Sequence, residues 1–129
     1  MLDLKAQIQE IIQGEVDDSE ETRELYSHDA SLFELKPKLV VSPKDSTDLK
    51  NLVRYVAAHK HSVPGLYITP RSAGTCMSGG SIGESITVDF TKHINRIHTV
   101  SQTEAHAEPG VYYRDFEPQT LKHKALMPS

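Results

Sequence analysis

The chain has 129 residues and a formal net charge of −4, with 14 basic and 18 acidic residues. This balance argues against a nucleic-acid partner and an anionic membrane surface, because both attract basic proteins. Its single cysteine cannot form an internal disulfide, and the sequence shows neither a signal peptide nor a transmembrane segment. We therefore expect a cytoplasmic globular protein that is one domain or part of a larger one.

The N-terminal stretch predicts two short helices. Asp3 can cap a helix that has one apolar face and ends at Gly14. Ser19 can cap a second, shorter helix that runs through Tyr26. The acidic run GEVDDSEE, residues 14–21, is expected to be a solvated surface.

A strand–helix–strand pattern follows. Residues 39–41 are uniformly apolar, which predicts a buried strand. Ser46 opens a helix whose apolar residues share one face: Leu49, Leu52, Val53, Val56 and Ala57. Residues 66–69 and 85–90 are the next two strands. This order is typical of parallel strands, so we expect an α/β fold with a small three-stranded parallel sheet flanked by helices.

The pattern changes in the last third. Two short runs within residues 96–108 predict an antiparallel hairpin, which gives the fold an α+β character. Residues 111–123 have roughly helical spacing, and Pro118 should kink or restart that helix. We therefore expect a first lobe over residues 1–95 and the start of a second, antiparallel lobe over residues 96–129.

A glycine- and hydroxyl-rich loop separates the last two predicted parallel strands, in TPRSAGTCMSGGSIGESITVDF, residues 69–90. It matches neither the phosphate loop of P-loop proteins nor the Rossmann fingerprint. Glycines nevertheless let backbone N–H groups converge into a concavity that binds an anion, and Thr75 and Ser78 can add hydroxyl donors. On composition alone, a plain surface connection rich in turn residues is an equal alternative.

Several motifs in order resemble one flavoprotein family: RELYSHDAS, KPKLVVSPKDSTDLKNLV, PRSAGTCMSGG, ITVDF and HAEPGV. The chain resembles the PCMH-type FAD-binding domain of the vanillyl-alcohol oxidase superfamily, within it the D-lactate dehydrogenase and glycolate oxidase D-subunit branch. The resemblance runs from about Gly14 to the last residue. It implies FAD and an oxidoreductase acting on a small 2-hydroxy acid or related alcohol. It also implies that the family's domain continues past residue 129, so we expect a truncated, inactive domain.

The resemblance also implies which residues contact the cofactor, with the loop at 70–80 wrapping the FAD pyrophosphate. Carried over residue by residue, the contacts are Pro70, Arg71, Ser72, Ala73, Gly74, Thr75, Cys76, Ser78, Gly79, Gly80, Pro109, Gly110 and Val111. The chain departs from the family at two of these positions. Ser72 replaces a common glycine, and Thr75 stands where relatives with covalent flavin have histidine, which implies non-covalent FAD. No catalytic residue can be assigned.

Other reactive side chains favour plainer interpretations. Cys76 is a candidate reactive thiol, but a small residue facing the cofactor or core is the commoner case. His59 and His61 lie on different faces of a predicted helix, and the other histidines are scattered, so we expect no metal site. Asp89 is expected to have a structural role on its strand.

A second class of function stays open beside the oxidoreductase. The chain can be a non-catalytic nucleotide-binding or oligomerisation module that does not retain FAD. In either case a hairpin with unpaired edges recruits another strand, and its apolar face lacks a covering layer. We therefore expect a homo-oligomer formed through the C-terminal third.

Overall fold

The computed structural model describes residues 3–127. Its helices are α1 (Leu4–Gln9), α2 (Glu20–Leu25), α3 (Ser46–His59) and α4 (Tyr113–Lys122). Its strands are β1 (Glu15–Asp17), β2 (Leu39–Ser42), β3 (Ile68–Arg71), β4 (Ile86–Asp89), β5 (Ile97–Val100) and β6 (Ala105–Ala107). No helix in this part of the chain is long and apolar enough to cross a membrane.

The main sheet has the strand order β1-β2-β4-β3. Strands β2, β4 and β3 are parallel, which confirms the predicted three-stranded parallel arrangement. Thr87 of the central strand β4 pairs in register with Val40 on one side and Thr69 on the other. Ile86 and Val88 point to the opposite face, where they join the hydrophobic core. The fold is α/β, as the sequence predicts.

The acidic run contains a fourth strand that the sequence does not predict, but its acidic side chains are otherwise mostly exposed, as predicted. Strand β1 lies within that run and pairs antiparallel with β2, so that Val16 stands opposite Val41. Val16 is buried, while Glu15 is exposed. A single apolar residue between acidic neighbours is too short a pattern to predict a strand. The strand forms because it pairs with β2, which is distant in sequence.

The structure places the end of α1 and the start of β3 at other residues than the sequence predicts. Helix α1 ends at Gln9 rather than at Gly14, because the chain must leave the helix before the tight crossing at that glycine. A Cβ on Gly14 would lie 2.2 Å from the carbonyl oxygen of Ser42. Strand β3 begins later than predicted and includes Pro70. A proline is tolerated there because β3 is an edge strand and its outer side needs no N–H donor.

Helix α3 covers one face of the sheet along a narrower stripe than predicted. Asp45 caps the helix by accepting hydrogen bonds from two backbone N–H groups of the first turn. Leu52 and Val56 are buried in the core, but Val53 and Ala57 are exposed, so the prediction for these two residues is wrong. The face of α3 that packs against the core therefore contains Leu52 and Val56, whereas Val53 and Ala57 lie in solvent.

A buried carboxylate fastens α3 to its neighbours. Asp48 accepts hydrogen bonds from the backbone N–H groups of Gln13 at 2.9 Å, Gly14 at 2.8 Å and Lys44 at 2.9 Å. Burial alone would raise the pKa of the Asp48 carboxyl, but these donors outweigh it and hold the pKa below its ordinary value. The ionised side chain therefore joins the N-terminal segment, the turn after β2 and α3.

The last third forms a separate two-stranded sheet. Strands β5 and β6 pair antiparallel, as predicted, with an irregularity between Ile97 and Thr99. Helix α4 continues through Pro118 as one helix, so the proline does not restart it. The division into lobes at residue 95 stays a prediction.

Candidate functional site

The loop between β3 and β4 is the crossover of two neighbouring parallel strands. Such strands need a long connection, which is usually a helix. Helix α3 provides that connection between β2 and β3, but residues 72–85 return from β3 to β4 without one. The loop therefore starts at the carboxyl end of a parallel strand, where open α/β sheets bind ligands.

The backbone of this loop offers a row of free donors. Within residues 3–127, no N–H group of residues 72–79 donates a hydrogen bond to a protein acceptor. The next N–H, that of Gly80, donates to Sγ of Cys76 at 3.3 Å. Free N–H groups in a curved loop attract an anion, which agrees with the anion-binding interpretation of the sequence.

Two glycines allow the curvature. Gly74 has φ +70° and Gly79 has φ +79°, a region that residues with a Cβ rarely adopt. A Cβ on Gly74 would lie 2.4 Å from Nη2 of Arg71, so the backbone passes directly against the guanidinium. Ser72, which replaces the family's common glycine, has no positive φ. The serine therefore strains no backbone at that position.

The Arg71 side chain links the start of the loop to the segment after α2. Its Nη1 donates to the carbonyl oxygen of His28 at 2.7 Å, and its Cζ lies 5.1 Å from the ring centroid of Tyr26. The guanidinium thus supplies a positive charge in a fixed place beside Gly74. An anion at the free N–H groups would be stabilised by that charge.

Tyr26 is itself fixed by Asp89. The Tyr26 hydroxyl donates to Oδ2 of Asp89 at 2.8 Å, and Oδ1 of Asp89 accepts from the backbone and hydroxyl of Thr91. Burial and the hydrogen bond to this carboxylate raise the pKa of Tyr26 far above its ordinary value, so the hydroxyl stays protonated. Asp89 has the structural role that the sequence predicts, whereas the part played by Tyr26 was missed.

The segment after α2 forms a second wall of the loop. The N–H of Ala30 donates to the carbonyl oxygen of Gly74 at 3.1 Å. Asp29 accepts from the hydroxyl of Ser81 at 3.0 Å and from the N–H of Ser31 at 2.8 Å. These bonds hold residues 29–31 against both ends of the loop.

Cys76 sits in the loop with its sulfur engaged. Sγ lies 3.3 Å from Oγ of Ser78 and accepts from the N–H of Gly80. The Ser78 side chain is the main cause of a lowered pKa of the Cys76 thiol. The Cys76 side chain is only half-buried.

The second predicted contact segment, residues 109–111, lies elsewhere on the chain. Gly110 is buried, and its N–H donates to the carbonyl oxygen of Ile94 at 2.8 Å. A Cβ there would lie 2.1 Å from the carbonyl oxygen of Phe90, whose own N–H donates to Arg71. Phe90 therefore connects the two predicted contact segments. The Gly110 N–H already has an acceptor, unlike the N–H groups of the loop.

One group that the sequence did not reveal has the composition of a metal site. Ligand atoms of Glu24, His28 and Glu34 lie within 4.8 Å of one another, and all three residues are exposed. Lys36 forms an ion pair with Glu24, so part of the negative charge is already neutralised. The three residues come from a helix end and a loop, which leaves no ligand-spacing motif in the sequence.

The loop fits a pyrophosphate chemically. Its free N–H groups, the guanidinium of Arg71 and the hydroxyl of Thr75 are all donors, as a doubly charged group of oxygens requires. The glycines at positions 74 and 79 keep side chains away from these N–H groups.

Comparisons with known sequences agree with this chemistry. A family model for the FAD binding domain matches residues 37–129. D-2-hydroxyglutarate dehydrogenase of Escherichia coli (strain K12) is 34% identical over 87 residues, covering 66% of this chain. The same enzyme of Pantoea ananatis (strain AJ13355) is 33% identical over 87 residues, with the same coverage. The chain spans only 8% of the length of these two relatives.

Solved structures share the fold. 6-Hydroxy-D-nicotine oxidase from Arthrobacter nicotinovorans has a TM-score of 0.68 and 24% identity, over 87% of this chain and 24% of that one. Alkyldihydroxyacetonephosphate synthase has a TM-score of 0.62 and 22% identity, over 83% of this chain and 22% of that one. The predicted PCMH-type fold is confirmed.

Proposed function

Because the chain belongs to the FAD binding domain family, of the PCMH type, and its cofactor is FAD, we propose that residues 70–80 hold the pyrophosphate of that cofactor. The single observation that carries this proposal is the row of free N–H groups over residues 72–79. Arg71 adds a fixed positive charge, and Thr75 adds a hydroxyl donor. Residues 109–111 form a second contact in this proposal, through Pro109 and Val111 more than through the paired N–H of Gly110.

The chain's own residues bind and orient; they do not perform the redox step. The flavin ring supplies the oxidation chemistry when it is bound. A fixed pyrophosphate restricts the ribityl chain that joins it to the flavin ring. The loop therefore helps to set the position of the ring and so of the oxidation. Residues 3–127 give no basis for assigning a catalytic base.

For the whole protein we propose an FAD-dependent oxidoreductase that acts on a small 2-hydroxy acid, such as D-lactate or glycolate, or a related alcohol. Two observations support this substrate class. The sequence resembles the D-lactate dehydrogenase and glycolate oxidase branch, and D-2-hydroxyglutarate, named in the relatives, is also a 2-hydroxy acid. A cytoplasmic location is part of the proposal and is supported by the single cysteine.

The flavin is non-covalent in this proposal. Thr75 stands where relatives with covalent flavin have histidine, and a threonine hydroxyl does not form that bond. Acid precipitation should therefore release any co-purified flavin into the supernatant. Flavin that remains in the protein pellet would contradict this part of the proposal.

A second candidate is an oligomerisation module, and the surface of the last third favours it. Exposed apolar side chains lie on and after α4: Tyr113, Leu121, Leu126 and Met127. The hairpin of β5 and β6 is a sheet of only two strands in the described residues, so both of its edges are open. We propose self-association through residues 96–127, which is compatible with FAD binding in the first lobe.

Titration with ADP tests the pyrophosphate site directly. Gly74→Val should weaken ADP binding by about tenfold or more, because the side chain forces the backbone out of its positive φ and against Arg71. Gly65→Val is the matched control: it has φ +71° and lies in the turn before β3, with open space around the new Cβ. Equal ADP affinity in wild type and Gly74→Val, or no affinity in wild type, would contradict the proposal.

A further inference from the structure

An exposed aromatic side chain stands beside the free N–H groups. Phe33 is 60% exposed. Its Cδ2 lies 3.0 Å from the position that a Cβ on Gly79 would occupy, so the ring is next to the backbone of the loop. Phe33 is not a member of the hydrophobic core cluster. Core packing therefore does not explain why this ring is held here.

A chain of hydrogen bonds fixes the backbone segment that carries the ring. The N–H of Phe33 donates to Oγ of Ser31 at 3.1 Å, and the N–H of Ser31 donates to Asp29. Asp29 also accepts from Ser81 at the far end of the loop. An exposed aromatic ring on a backbone that is already ordered costs less ordering entropy when a ligand binds it.

The surroundings combine two chemistries. The N–H groups of residues 72–79 suit an anion, whereas Phe33 and Met77 present apolar side chains that are 60% and 83% exposed. A nucleotide has the same two parts, a charged phosphate and a flat base. Aromatic side chains stack on such bases.

We propose that Phe33 is the stacking platform for the adenine ring of the dinucleotide. This inference rests on the proposed pyrophosphate site, since the phosphates must lie at residues 72–79 for a base to reach Phe33. Adenine is favoured over the flavin ring because one ribose joins it to the phosphate, whereas the flavin is joined by a longer ribityl chain. The platform lies immediately beside the phosphate donors, at the shorter of these distances.

Binding of ADP, inorganic pyrophosphate and FMN, each titrated separately by calorimetry, tests the platform. Phe33→Ala should weaken ADP binding by about tenfold, the usual order for one lost base–aromatic stack, and leave pyrophosphate binding unchanged. Phe33→Tyr should bind ADP as wild type does. Leu121→Ala, which removes an exposed apolar side chain on α4, is the matched control and should change neither affinity.

The possible failures are distinguishable. If Phe33→Ala binds ADP as wild type does, the platform is absent while the pyrophosphate site stands. If Phe33→Ala weakens FMN but not ADP, the ring serves the flavin and the assignment to adenine is wrong. If wild type binds neither ADP nor pyrophosphate, both the inference and the proposed site are contradicted.

A fluorescent variant gives a second readout that does not depend on affinity. The chain has no tryptophan, so Phe33→Trp introduces a single reporter at this position. Stacking of adenine on the indole should quench its fluorescence when ADP is added, and pyrophosphate should not. Equal responses to the two ligands would overturn the platform.

Discussion

The hydroxyl of Tyr26 donates a hydrogen bond of 2.8 Å to the carboxylate of Asp89, across 63 residues of chain. The pair joins the end of α2 to the carboxyl end of β4. It also fixes the tyrosine ring beside the guanidinium of Arg71. A contact outside the loop therefore determines where the charge of the proposed pyrophosphate site lies.

Two substitutions of Tyr26 should separate its hydrogen bond from its ring. Tyr26→Phe should lower the free energy of unfolding by about 1–2 kcal/mol, because Asp89 loses a donor, and should leave ADP affinity nearly unchanged. Tyr26→Ala should also weaken ADP binding severalfold, because the ring beside Arg71 is gone. Urea unfolding and ADP titration measure the two effects. Equal ADP affinities for the alanine and phenylalanine variants would show that the ring does not position Arg71.

Asp48→Asn should destabilise the fold near neutral pH by about 2–3 kcal/mol, since an amide oxygen replaces a carboxylate that accepts three backbone hydrogen bonds. The pKa of Asp48 is lowered in the folded state, so its contribution is present above the ordinary carboxyl pKa and is lost as pH falls through the folded value. The difference between wild type and variant, measured by urea unfolding, should therefore shrink below about pH 4. A difference that stays constant with pH would exclude the charge as its cause.

Thr87→Val should stabilise the protein by about 1 kcal/mol, because the buried hydroxyl of Thr87 has no hydrogen-bond partner within residues 3–127 and valine has the same shape. Thr120→Val provides the control. Thr120 is also buried, but its hydroxyl donates to the carbonyl oxygen of Glu117, so this variant should lose stability. Thermal unfolding should show a higher melting temperature for Thr87→Val and a lower one for Thr120→Val than for wild type. Two changes of the same sign would contradict the argument.

Ser78→Ala should slow alkylation of Cys76 by iodoacetamide at neutral pH. The Ser78 side chain is the largest cause of the lowered pKa of this thiol, so its removal raises the pKa and reduces the thiolate fraction. Ser72→Ala, in the same loop, should leave the rate unchanged. Mass spectrometry of the labelled protein follows the reaction. An unaltered rate in Ser78→Ala would show that the hydroxyl does not stabilise the thiolate.

Sedimentation equilibrium should detect a dimer or larger assembly at micromolar concentration. Leu121→Asp should shift the equilibrium towards monomer, because a carboxylate is costly to bury in an apolar interface. Val53→Asp places the same charge on α3, where Val53 is also half-exposed, and should have no effect. A wild type that sediments as a monomer would remove the proposal of self-association.

Local patterns predicted the elements that form from local interactions. Asp3 and Ser19 cap α1 and α2 as expected, and the parallel direction of β2, β3 and β4 agrees with the strand–helix–strand pattern. Strand β1 was missed because its pairing with β2 is a long-range contact. The exposure of Val53 was missed because helical periodicity gives the direction of an apolar face but not the width of the surface it meets.

The candidate site also has a part that the sequence predicts and a part that it does not. The sequence predicts the loop at 70–80 from its glycines and hydroxyl residues between two strands. The positive φ of Gly74 and Gly79 agrees with the conformational role expected of these glycines. The residues around the loop, Tyr26 and Phe33 among them, come from a segment far away in sequence and have no motif of their own. The paired N–H of Gly110 was equally hidden, because its acceptor belongs to the turn after β4.

Under the proposed pyrophosphate site, the crossover between β3 and β4 makes ligand occupancy part of the folding equilibrium. A helix in this place would hold itself together through its own hydrogen bonds, but residues 72–79 leave their N–H groups to an outside acceptor. Mass action then couples the two processes: a ligand at 100 times its dissociation constant adds about 2.7 kcal/mol to the stability of the native state. The melting temperature should therefore rise with nucleotide concentration.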